Sequence, residues 1–129
     1  MSGYKDLDVY KRSYAAARAV YKIIKEYPHE ERDGMVDQMR RASLSIPMNI
    51  AEWYARNDSQ KEFKRFLLMA VGSANEMLVL VDFSKDVGYI SEETHAKAFA
   101  EYDVICRMLS NFIKSIERDN AGKSRQSKI

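Results

Sequence analysis

Met39, Ala42, Ile46, Ile50 and Trp53 follow one another at spacings of three and four residues, and the pattern passes through Pro47 without losing phase. At about 100° per residue they fall within a stripe roughly 80° wide, the mark of a helix that buries one face in a helical core. A proline inside a helix removes an amide donor, frees the carbonyl four residues earlier (here Ser43) and tends to kink the axis, at a cost of about 3 kcal/mol. Ser43, Ser45 and Asn49 stand close enough to hydrogen-bond the disturbed backbone. The helix could instead end at Ser45 or Ile46 and restart, because the residue before a proline disfavours helical geometry. The in-phase stripe favours one kinked helix, beginning between Glu30 and Met35 and reaching about Arg56.

Roughly opposite the stripe lie Arg41, Ser45, Glu52 and Arg56, with Leu44, Met48, Ala51 and Ala55 among them. One exposed apolar side chain needs no explanation. The group reads as a second packing surface, most economically a subunit contact made by Leu44, Met48, Ala51, Glu52 and Ala55; the alternative is an untidy solvated face. Glu52 and Arg56, four apart, can also pair, for about 0.3–0.5 kcal/mol if exposed.

Three further helices complete the reading. The first runs from about Asp6, a plausible N-cap, to Tyr27 before Pro28, with Leu7, Tyr10, Tyr14, Ala17, Tyr21 and Ile24 as its buried stripe. The third starts at a capping box, Ser59 to Glu62, and stops at Gly88. Its broad apolar face holds Phe63, Phe66, Leu67, Ala70, Val71, Ala74, Met77, Leu78 and Val81. The fourth starts at Ser91, carries Glu92 and Glu93 at its positive end, and buries Phe99, Tyr102, Ile105, Leu109, Phe112 and Ile116. Short links between long amphipathic helices predict an all-α fold, an up-down-up-down antiparallel four-helix bundle over residues 1–117. Residues 118–129 are polar and basic and read as a flexible tail.

At 129 residues the chain makes one domain. No apolar run comes near a membrane span of about 20 residues and no signal peptide is evident, so a cytoplasmic protein with no membrane partner is expected. Enzyme chemistry finds little to work with. A di-iron bundle needs Glu-x-x-His on two helices and a Glu from each of the others; there is one match, Glu92 to His95, at a helix start where acids are favoured anyway. Two histidines and one cysteine, Cys106, do not make a zinc site. No catalytic residue, metal or cofactor is expected.

The net charge is only +2, but the first 27 residues hold six Lys or Arg against three acids. Lys11, Arg18, Lys22 and Lys25 fall within about 60° on the first helix, bordering Tyr14 and Tyr21. Such a row can neutralise phosphates of RNA or DNA while tyrosines stack on bases; equally, it can be a solvated face beside the core. A second cluster, Arg56, Lys61, Lys64 and Arg65, surrounds the turn before the third helix, diluted by Asp58 and Glu62.

Leu7 to Tyr10, Tyr27-Pro28, Gln38 to Arg56, Lys61-Glu62-Phe63, Arg65-Phe66-Leu67, Ala70, Gly72-Ser73, Glu76 and Gly88-Tyr89 resemble a family of bacterial four-helix bundle proteins. It includes proteins encoded by intervening sequences in large-subunit ribosomal RNA genes and the accessory variability proteins of diversity-generating retroelements. The most specific part is Arg40-Arg41, then Ser45-Ile46-Pro47, Asn49 to Glu52, and Arg56. Trp53 and Ala55 stand where the family usually has glycine. The resemblance implies a ring-like homopentamer with a positive surface. In the retroelement members it implies an adaptor for a reverse transcriptase and its template RNA. For the intervening-sequence members it implies no firm role, so a structural or protein-binding bundle is the alternative. Arg40, Arg41 and Arg56 are the basic residues that transfer by motif position.

Overall fold

The structure is a computed structural model that describes the backbone of residues 3–56 and 60–127. Four helices carry the fold: α1 (Asp8–Ile23), α2 (Met35–Ala55), α3 (Gln60–Asp86) and α4 (Glu92–Ser127), with no strand among the described residues. α1 packs on α2 and α4, and α3 packs on the same two, so the four close into a bundle of sequential neighbours. Cross-helix pairs fix the directions. Ser73 Oγ donates to Ser45 Oγ at 2.9 Å and Ser84 Oγ reaches Met39 Sδ at 3.9 Å, so α2 and α3 run antiparallel. Cys106 opposite Asn75 and His95 opposite Asp82 do the same for α3 and α4.

Each boundary has a local cause. A 3-10 turn, Tyr4–Asp6, precedes α1, whose N-cap is Leu7 rather than Asp6. Tyr27 is extended (φ −72°, ψ 152°), the geometry that Pro28 imposes on the residue before it. At the start of α2, Glu31 Oε1 accepts the Met35 amide at 3.3 Å and Glu31 Oε2 accepts the Tyr89 hydroxyl at 2.8 Å. Gly88 ends α3 at φ +83°: its amide reaches the Lys85 carbonyl at 3.0 Å and that of Tyr89 reaches Ser84 at 2.8 Å, the paired bonds of a Schellman motif. Ser91 Oγ accepts the Thr94 amide at 3.1 Å and caps α4. The expected cap at Ser59 lies outside the described residues.

α2 is one helix through Pro47. Met39, Ala42, Ile46, Ile50 and Trp53 are all buried as their phase requires. Asn49 Nδ2 donates to the Ser45 carbonyl at 2.8 Å, and Ser43 Oγ donates to the Arg40 carbonyl at 3.1 Å, so the polar residues around the proline bond the local backbone. Trp53 lies edge-on to Phe112 of α4, ring centroids 4.9 Å apart, and α2 continues past it to Ala55.

Three expectations need correction. The core face of α1 is Val9, Ser13, Ala16, Ala17 and Val20, continued by Ile24 in the 3-10 turn after it, whereas Tyr14 is 50% and Tyr21 37% exposed. Small side chains let α1 approach its neighbours closely, which displaces the bulkier tyrosine column to the flank. Secondly, α4 continues as helix to Ser127, past the end expected near residue 117; Gly122 and the weak helix formers Asp119, Asn120 and Ser124 do not break it. Thirdly, the Lys64–Asp86 stretch of α3 is long and apolar enough to cross a membrane by length and composition alone. Leu67, Ala70, Ala74, Met77 and Val81 of that stretch lie in the bundle core.

Candidate nucleic-acid interface

Because α1 buries its small-residue face, its opposite side projects from the bundle. Lys11, Arg18, Lys22 and Lys25 are exposed there, and none forms an ion pair among the described residues. The acid nearest in sequence to the middle of the helix is Asp8, a turn before Lys11. Arg12, on the α4 side, is held by Glu101, Nε to Oε1 at 2.8 Å, which keeps its guanidinium even more firmly protonated than usual. The one arginine turned towards α4 is thus neutralised, and the outward column keeps its charge.

Beside that column runs a column of tyrosines. Tyr10 lies edge-on to Tyr4 (centroids 4.9 Å apart) and tilted against Tyr14 (5.9 Å), and burial with these phenols raises its pKa. Two clefts open along the seam. One, about 510 Å3, is lined by Lys5, Tyr10, Lys11 and Tyr14. The other, about 480 Å3, is lined by Tyr14, Ala17, Arg18, Tyr21, Lys22, Lys25 and Leu44.

The remaining basic candidates are less free. Arg41 pairs with Asp37 at 3.2 Å and Arg56 with Glu52 at 3.6 Å, each one helical turn away, and Lys64 pairs with Glu117 of α4. Arg65 sits over the Phe66 ring, 5.2 Å from its centroid. Arg40 is half-buried, and the side chain of Lys61 lies outside the described residues. The cluster around the α2–α3 turn therefore presents little free positive charge among its described members.

Of the expected interface residues, Met48 is 63% and Leu44 38% exposed, Glu52 and Ala55 are exposed, and Ala51 is half-buried. Leu44 walls the cleft between Tyr14 and Tyr21, a role its helical position alone does not reveal. Sequence reasoning misses two features. Lys5 joins the first cleft from the 3-10 turn, where a helical wheel does not apply. Leu68, Met69, Val79, Phe83 and Val87 form an exposed apolar surface along the chain's longest apolar stretch and its end, on the side opposite the core face; apolar residues on both sides of α3 hide the division in the sequence.

Two other groups of titratable side chains stand out among the described residues. Among the described residues no group of three or more His, Cys, Asp or Glu could hold a metal. His95 Nε2 lies 2.7 Å from Asp82 Oδ1, tying α4 to α3. Cys106 is partly buried, and burial raises its thiol pKa, the opposite of an activated nucleophile.

No curated protein matches this chain. Residues 5–111 match the family model described as 23S rRNA-intervening sequence protein. That range covers most of the four helices, including the whole of α2 and its Arg40-to-Arg56 motif, so the chain belongs to the 23S rRNA-intervening sequence protein family.

Proposed function

We propose that this protein is a non-enzymatic, oligomeric adaptor that binds nucleic acid in the cytoplasm and serves as an accessory subunit of a reverse transcriptase acting on template RNA. The observation that carries the nucleic-acid part is the α1 face: four cations with no acidic partner among the described residues, beside exposed tyrosine rings. Phosphates would displace counterions from that column. The reverse transcriptase enters through the likeness to retroelement accessory proteins.

Assembly draws support from exposed apolar side chains on two helices of one bundle. Met48 and Ala55, with Glu52, stand on α2; Leu68, Met69, Val79, Phe83 and Val87 stand on α3 and at its end. A head-to-tail ring requires two different patches on each copy, whereas a two-fold dimer requires one self-complementary patch. A pentamer is the ring size that the family likeness favours. The α3 surface also favours the second reading, a protein-binding bundle with no nucleic-acid role; its sign is capture of a partner that survives nuclease and high salt.

The test replaces Lys11, Arg18, Lys22 and Lys25 together by Gln. Affinity for RNA should fall about tenfold or more at low salt, and the slope of log affinity against log salt should flatten by about 0.7 for each single-strand phosphate that the variant no longer neutralises. Unchanged affinity and slope would remove the α1 face from the mechanism.

A further inference from the structure

We propose that the α1 face is a track for unpaired nucleic acid, in which bases enter the clefts beside Tyr14 while the cation column holds phosphates. This rests on the nucleic-acid reading above and specifies the form of the strand. The two clefts lie end to end along α1 and share Tyr14. Each has cations along one side and tyrosine rings on another: Lys5 and Lys11 with Tyr10 and Tyr14, then Arg18, Lys22 and Lys25 with Tyr14 and Tyr21. Ala17, buried on α1, and Leu44 of α2 complete the second with apolar surface.

A duplex would use only half of this arrangement. It offers phosphates to the cations, but its base faces are covered by their own neighbours, and apolar walls contribute nothing to a phosphate. Unpaired nucleotides expose those faces to aromatic rings, and stacking on them is tolerant of sequence. The dimensions agree. The seven steps from Tyr14 to Tyr21 span about 10.5 Å of helix axis, which accommodates two bases at the roughly 3.4 Å repeat of stacked nucleotides. Tyr21 is not committed elsewhere, since its side chain makes no hydrogen bond or ring contact among the described residues. The pair Tyr10 and Tyr14, already in contact, offers an outer stacking surface and no slot between the rings.

The experiment measures fluorescence anisotropy of the full-length protein with a labelled oligoadenylate of about 12 nucleotides, within the footprint of single-strand binders, and with the same strand annealed to its complement. The double variant Tyr14→Ala with Tyr21→Ala should bind the single strand about fivefold or more weakly and the duplex unchanged. Tyr14→Phe with Tyr21→Phe should bind both as the parent does. Tyr21→Ala alone, which removes a ring that touches no other, should shift single-strand binding in the same direction, and thermal unfolding should match the parent throughout. If the alanine variants bind the single strand normally while the four-glutamine variant does not, the base track is overturned and the phosphate-binding reading stands. An equal loss on both probes also overturns the track. A parent protein that binds neither probe overturns both readings.

Discussion

Gly88 has a backbone φ of +83°, which side chains with a Cβ adopt only under strain. A Cβ there would meet no atom within 4 Å, so the strain is conformational and not steric crowding. Gly88→Ala should therefore destabilise the fold by about 1 kcal/mol, read as a lower denaturation midpoint with unchanged slope. This residue is legible in the sequence, because a glycine after a long periodic segment has few other uses. Tyr14 and Tyr21 are only half legible. Their three- and four-residue spacing is as helical as that of Val9, Ser13, Ala16 and Val20, and hydrophobic pattern alone ranks the larger rings first. What decides is fit: alanine, serine and valine allow close helix packing, while a tyrosine can leave its hydroxyl in water at the rim. Ser13 and Ser84, which look polar in sequence, are buried because each hydroxyl donates to a carbonyl of its own helix, Tyr10 at 3.1 Å and Leu80 at 2.7 Å.

At the scale of the helix, α2 is legible in the sequence and α3 much less so. The five stripe residues of α2 are all apolar, so their burial follows from phase, and the buried Ser43 beside them is satisfied by the Arg40 carbonyl. In α3 apolar residues occupy most of the circumference, and periodicity does not separate the face that meets α2 and α4 from the exposed Leu68, Val79 and Phe83. The extent of α4 is hidden for a different reason: low hydrophobicity after Arg118 removes the packing signal without removing helix propensity. The outer side of α2 carries the prediction about assembly. Met48→Glu places a charge on a side chain 63% exposed in the single chain, so it should leave thermal stability within about 0.5 kcal/mol. If that surface joins copies, the same change should lower the mass observed by light scattering. A variant with both stability and mass unchanged would take Met48 out of the subunit contact.

For the molecule as a whole, alkaline pH is the condition that tests the core. Burial raises the pKa of Tyr102 and of Tyr27, since the phenolate is costly to keep away from water. A phenol whose folded pKa lies above its unfolded value of about 10 contributes stability fully below that value and loses it as pH rises beyond it. The denaturation midpoint should thus fall steeply above about pH 10, and less steeply in Tyr102→Phe. Near neutrality that variant should be as stable as the parent or more so, because the buried Tyr102 hydroxyl has no hydrogen-bond partner among the described residues. Trp53, the single tryptophan, lies against Phe112 across the bundle, while Tyr14 and Tyr21 of the α1 face are open to solvent. The protein consequently carries an optical probe of its own: indole emission, excited selectively, follows the joining of α2 to α4, so unfolding can be watched in an unlabelled sample while a ligand is added.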